Sequence, residues 1–207
     1  DPRFEGMATE LESGKILAGK KSTSVTMDEQ PEIVNSELRQ AFVRLPGLLL
    51  SEQQIPGHFN VNYRGLGDPH ESEFVSFFEN GIPLSSDAFG YPTLYQLTAI
   101  DRVERIDFVR GGSALLYGPQ PGPSINFITR APQTDQELQL RSRHIGGKDG
   151  LYATFNEVSG GTGNFGWQVG YEHRQFDGER DNADSDIDTA YATLVWQPNE
   201  DASWRFD

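Results

Sequence analysis

The chain of 207 residues contains no cysteine, which removes disulfides, thiol nucleophiles and thiolate metal sites together. It is short of positive charge: 17 Lys+Arg stand against 31 Asp+Glu, a net charge of −14. The basic footprint that non-specific nucleic-acid binding needs is therefore missing, and no nucleic-acid partner is expected. No apolar run approaches the roughly 18–20 residues of a membrane-crossing helix; the longest purely aliphatic stretch is Leu48-Leu49-Leu50. This leaves β-barrel strands open, because their alternating signal is much weaker. Asp1-Pro2-Arg3 carries no signal-peptide pattern, so the chain reads as a mature form or a fragment.

Patterns for catalysis and nucleotide binding fail on inspection. Gly14-Lys-Ile-Leu-Ala-Gly19-Lys20 fits the start of a P-loop, but Lys21 follows where Ser or Thr must hold Mg²⁺. Gly111-Gly112-Ser113-Ala114-Leu115 lacks the second glycine of a nucleophile elbow. Asp184-x-Asp186-x-Asp188 begins like a calcium loop, yet Thr189 stands at the required Gly and Val195 at the bidentate Glu. With Asp181 it reads as a solvated loop. His58, His144 and His173 are scattered. Neither an enzyme nor a cofactor site is expected.

What is present centres on residues 101–130. Ile106, Phe108 and Val109 suit a buried strand. Gly111-Gly112 ends it, and Ser113 caps a helical turn over Ala114 to Tyr117. Gly118-Pro119 and Pro121-Gly122-Pro123 break the chain again before a strand over Ile125 to Thr129. Upstream, residues 1–22 read as an extended arm, and 23–28 as a short strand. Ile33, Val34, Leu38, Phe42 and Leu45 recur at helical spacing, with Asn35 or Ser36 as cap and Pro46-Gly47 as stop. Residues 51–60 form a polar loop, 60–65 a strand ending in Arg64-Gly65, and 74–84 a strand and hairpin around Asn80-Gly81. Leu94, Leu97 and Ile100 suggest a further helix.

From about residue 132 the texture changes. Segments 137–145, 151–158, 165–174 and 187–197 are strand-length, and a fifth begins at Trp204. Phe165, Trp167, Val169 and Tyr171 alternate with Gly166, Gln168, Gly170 and Glu172. This suits an outer-membrane strand, apolar outside and polar inside, and equally a soluble sandwich strand.

V-E-R-I-D-F-V-R-G-G-S-A-L-L-Y-G over 103–118, followed by I-N-F-I-T-R, closely resembles the plug domain of TonB-dependent outer-membrane transporters. Pro46-Gly47, the R-G-L-G box at 64–67 and the hairpin at 81–84 match further pieces of the pattern. In the hairpin, Glu79-Asn80 stands where the family has a single Asp. Y-G-P-Q at 117–120 looks most like the ferric citrate branch.

The resemblance implies an α+β plug domain, a small mixed sheet with short helices, followed by antiparallel strands of an incomplete transmembrane β-barrel. The expected division is an arm over 1–22 that pairs with TonB, a plug over 23–131, and wall strands over 132–207. It places the protein in the outer membrane of a Gram-negative bacterium, against lipid, with a ferric chelate as ligand. Arg64 and Arg110 would lock plug to barrel through glutamates of the inner wall. Gly65, Gly81, Gly111, Gly112 and Gly118 would form structural turns. Gln120 would lie near the ligand, with His70, Glu71 and Glu73 as further contacts. The loop at 68–73 is acidic, unlike the basic loop of the citrate branch, and repels an anionic chelate. Two alternatives stay open: the same fold carrying a divalent metal or cobalamin-like cargo, or a self-contained periplasmic or extracellular β-rich binding or assembly module.

Overall fold

The computed structural model describes residues 11–12, 15–16, 21–34, 37–52, 59–66, 74–84, 98–119, 122–178 and 181–207. The chain divides into two compact units, 1–129 and 130–207.

Within the first unit, β1 (Leu11–Glu12) and β2 (Lys15–Ile16) pair with each other. They put a small hairpin where an extended arm was expected. The centre of the unit is β8 (Val103–Val109), a strand of mostly buried residues. Beside it lie β3 (Ser22–Thr26) and β9 (Ser124–Thr129), both antiparallel to it. β6 (Ser76–Glu79) joins β9 in parallel, and β7 (Ile82–Pro83) closes the row as a hairpin from β6. The resulting order, β3-β8-β9-β6-β7, is a mixed sheet with β3 on one edge. β4 (Leu48–Glu52) and β5 (Phe59–Tyr63) form a separate antiparallel pair.

The core of this unit gathers Phe42, Val61, Phe77, Ile106, Phe108 and Phe127, all buried. Burial of each such side chain contributes roughly 1.5–3 kcal/mol. The helix α1 (Leu38–Phe42) supplies Phe42, whose ring stacks on Phe127 with centroids 6.0 Å apart. α1 is shorter than its apolar spacing suggests. Its N-cap is Glu37, whose carboxylate accepts the Arg39 N–H; Asn35 and Ser36 lie outside the described residues. Leu45 N–H bonds to Phe42 C=O in a turn that ends the element before Pro46. The segment after β8 is a 3₁₀ helix over Gly111–Leu116, so the helical turn begins at the glycines and Ser113 does not cap it. Residue 100 opens another short 3₁₀ helix, Ile100–Arg102; the expected helical stretch before it lies outside the described residues.

The second unit is an antiparallel meander: β10 (Gln139–Gly146), β11 (Tyr152–Thr162), β12 (Phe165–Phe176), β13 (Ser185–Asn199) and β14 (Ala202–Phe206). Tight turns at 163–164 and 200–201 occupy one end, and the longer 177–184 connection the other. Asp186 and Asp188 belong to strand β13, rather than to a loop. The sheet is amphipathic in the opposite sense to a soluble one. Gln168, Glu172 and Arg174 are 2, 3 and 5% exposed, while Phe165, Val169 and Tyr171 are 44, 54 and 44% exposed. At the tight-turn end Phe165, Trp196 and Trp204 stack in a row, with successive centroids 6.2 and 4.9 Å apart.

Toward its tight-turn end the polar face is covered by the chain's own segment 130–136. Gln168 Nε2 donates to the Arg130 carbonyl at 3.0 Å and Gly161 N–H to the Gln136 carbonyl at 2.7 Å. A β-carbon at 161 would collide with the carbonyls of Gln133 and Thr134, and one at 166 with those of Pro132 and Gln133. Glycine is required at both positions by this close approach of backbone.

Candidate functional site

Arg64 and Arg110 are 46 residues apart in sequence (110 − 64) and share one cleft of about 260 Å³. Lys21, Leu66, Gly122 and Pro123 complete much of its lining, and no acidic residue is among the lining residues described.

Arg64 follows β5 in the left-handed region (φ 53), and Gly65 continues the turn at φ 75. Asn62 braces this Arg-Gly corner from both sides: its Oδ1 accepts the Gly65 N–H at 2.7 Å and its Nδ2 donates to the Leu66 carbonyl at 2.9 Å. The Arg64 N–H bonds to the Gly47 carbonyl, and a β-carbon at 47 would stand 3.1 Å from Arg64 Cγ. Gly47 thus makes room for the arginine as well as ending the helical turn before it. The guanidinium lies over the Tyr63 ring, 5.2 Å from its centroid.

Arg110 leaves the end of β8 and is held by the root of the arm. Its N–H donates to the Lys21 carbonyl at 2.9 Å, and its Nη2 to Thr23 Oγ1 at 2.8 Å. Its guanidinium lies over Phe108 at 5.2 Å. Arg110 Nε is buried and finds no acceptor among the described residues. Three cations thus converge where a buried donor lacks a partner, an arrangement that favours carboxylates supplied from outside the lining. Gly111 continues from Arg110 at φ 61, Gly118 sits at φ 140 and Gly81 at φ 82. Gly112 has no positive φ, so the Arg110 corner needs only its first glycine. At Gly122, a β-carbon would overlap the Phe74 carbonyl, which is how the loop reaches the cleft wall.

His70, Glu71, Glu73 and Gln120 lie outside the described residues. Lys21, Thr23 and Asn62 escaped the sequence reading as site residues, and Gly47 was read there only as a helix stop and a piece of the plug pattern. Nothing local to them signals a shared cleft; only the pairing of β3 with β8 and of β4 with β5 brings them to the two arginines.

The model of the family described as TonB-dependent Receptor Plug Domain matches residues 17–122, just over half of the chain. Among curated proteins, the vitamin B12 transporter BtuB of Photobacterium profundum is 28% identical over 144 residues, 69% of this chain and 23% of that protein. The ferrioxamine receptor of Yersinia enterocolitica is 24% identical over 200 residues, 95% of this chain and 27% of that protein. The chain therefore spans about a quarter of the length of these relatives. Among solved structures, the pyoverdine outer membrane receptor FpvA from Pseudomonas aeruginosa PAO1 superposes with a TM-score of 0.73 at 20% identity, covering 90% of this chain and 26% of that one.

Proposed function

The chain belongs to the family of TonB-dependent receptor plug domains, proteins of the Gram-negative outer membrane, and from that premise we propose that it serves the uptake of a ferric chelate. The first unit is the plug, and the second contributes antiparallel strands of the barrel wall. The observation that carries the mechanism is a cleft with no acidic side chain among its described lining residues. Arg64, Arg110 and Lys21 would take carboxylates of the inner barrel wall, and this ion-pair set would hold the plug in the lumen. Ligand would bind at the loops that contain His70, Glu71, Glu73 and Gln120. The arm over 1–22 would pair with TonB by main-chain strand addition, which tolerates sequence variation, and work delivered there would rearrange the plug.

Two of the relatives are named for the chelators ferrioxamine and pyoverdine, which supports a ferric chelate. The transporter named for vitamin B12 supports a cobalamin-like cargo as the second reading. The acidic stretch at 68–73 argues against citrate within the first. The role is transport, in keeping with relatives that are a transporter and receptors.

The test uses the full-length receptor in cells and in planar bilayers. Ferric citrate, ferrioxamine, ferric pyoverdine and cyanocobalamin are titrated in turn, and the one that binds is carried forward. Arg64→Ala with Arg110→Ala should leave its binding within about twofold and raise the passive conductance of the barrel as the plug loosens. Unchanged conductance and uptake would remove the lock from the mechanism. Saturable binding of cyanocobalamin alone would replace the chelate with the second reading.

A further inference from the structure

One charged cluster stands outside the cleft, on the outward face of the second unit. In the β12–β13 register His173 is directly opposite Asp188, and Gln175 opposite Asp186. Residues 173, 186 and 188 therefore share the face of Val169, Tyr171 and Leu194. His173 Nδ1 is 3.0 Å from Asp188 Oδ1 and 3.5 Å from Asp186 Oδ1. One ligand atom from each residue falls within a group whose members are all within 4.8 Å of one another. Tyr171 Oη donates to Asp188 Oδ1 at 2.5 Å and fixes that carboxylate from the side.

Zinc bonds of about 2.0–2.1 Å in tetrahedral geometry place neighbouring ligand atoms about 3.3 Å apart. The two separations from His173 straddle that edge, and the third, between the carboxylates, lies within 4.8 Å, so closure around an ion needs side-chain adjustment alone. Adjacent strands in fixed register supply all three groups, so they are held without an ordering cost in a loop. The electrostatics of the face add a separate argument. On the outward positions of β10 to β13 no lysine or arginine occurs among the described residues. Two carboxylates thus stand beside an apolar band whose outward face, among the described residues of β10 to β13, offers only the imidazoles of His144 and His173 as basic groups, and uncompensated carboxylates beside hydrocarbon are costly.

The geometry points to a divalent transition-metal site of the zinc class on this face, with His173 Nδ1 and the carboxylates of Asp186 and Asp188 as its ligands. An imidazole nitrogen with two carboxylate oxygens suits zinc better than the all-oxygen shells of magnesium or calcium. Tyr171 is a positioning residue that orients Asp188. Three protein ligands leave a fourth position toward the outside of the wall. The lipid-side placement rests on the barrel reading given above; the coordination does not.

The experiment titrates the full-length receptor in detergent with Zn²⁺ alone, in competition with a chromophoric chelator, and with Ca²⁺ and Mg²⁺ in parallel. The wild type should bind one Zn²⁺ more per chain than His173→Gln, and Asp186→Asn with Asp188→Asn should lose the same equivalent. Tyr171→Phe should keep the site and weaken it roughly tenfold. Co²⁺ should give visible bands of a nitrogen-and-oxygen tetrahedral set that His173→Gln abolishes. Retained β-sheet circular dichroism confirms that the variants fold. Equal Zn²⁺ stoichiometry and affinity in wild type and His173→Gln overturn the proposal, as does Ca²⁺ binding as tight as Zn²⁺. Uptake is expected to be unchanged in these variants, so the metal result and the transport result are read separately.

Discussion

Glu79 shows how little of the plug's wiring a single residue type reveals. At the end of β6 it accepts from Arg102 Nη1 at 3.1 Å and from Thr98 Oγ1 at 2.6 Å, and all three side chains are largely enclosed. Removing Glu79 takes away two charge-assisted hydrogen bonds in a largely enclosed site, each contributing roughly 1.5–3 kcal/mol. Glu79→Ala should therefore cost the plug about 3–5 kcal/mol, while Glu104→Ala at an exposed site of β8 should stay within about 0.5 kcal/mol. Hydrogen-exchange protection of β6, β8 and β9 in the full-length receptor checks this; equal protection in the two variants would contradict it. Asp107 is similarly enclosed, between Arg105 and Ser24. In sequence Asp107 only interrupts an apolar strand. Its meaning depends on β3, which arrives from 83 residues upstream to place Ser24 against it.

At the scale of elements, period and punctuation were readable and direction was not. The alternation in Phe165–Phe176 announces a strand, and its boundaries follow from Gly163-Asn164 and the polar stretch after 176. Alternation alone cannot say which face is enclosed; that comes from segment 130–136 lying on the side of Gln168 and Glu172. β4 was invisible for another reason. Leu48-Leu49-Leu50 has no alternation, and it is a strand because β5 pairs with it, Leu50 opposite Val61. The outward face carries a direct prediction. Val169→Arg places a charge in the apolar band and should cost roughly 2–4 kcal/mol of barrel stability in a bilayer if the position is near the midplane. Val169→Leu should be close to neutral. Denaturant unfolding of the full-length receptor in liposomes distinguishes them, and equal midpoints would argue against a lipid-facing surface.

For the whole molecule, the family and the plug were legible because a long ordered string, 103–118, agrees with a pattern, whereas the cleft depends on two strand pairings that no local string encodes. The arm tests the proposed mechanism at this scale. Deleting residues 1–22 from the full-length receptor should abolish uptake and leave the affinity for whichever cargo the titration identifies within about twofold; normal uptake without the arm would end the TonB-pairing proposal. β3 begins at the last of those residues and lies on the edge of its sheet, so a variant lacking 1–20, which keeps Lys21 and Ser22, should show the same loss with the plug sheet whole.

Segment 130–136 belongs to the second unit by its contacts as well as by its place in the chain. Its carbonyls occupy the space that β-carbons at 161 and 166 would take, and the Gly161 N–H and the Gln168 amide are bonded to it. The chain leaving the first unit is therefore stitched into the wall before it becomes the wall's first strand. Residues 130–136 are thus a seam of the second unit's own sheet rather than a loose linker, and a side chain larger than glycine at 161 or 166 would prise that seam open.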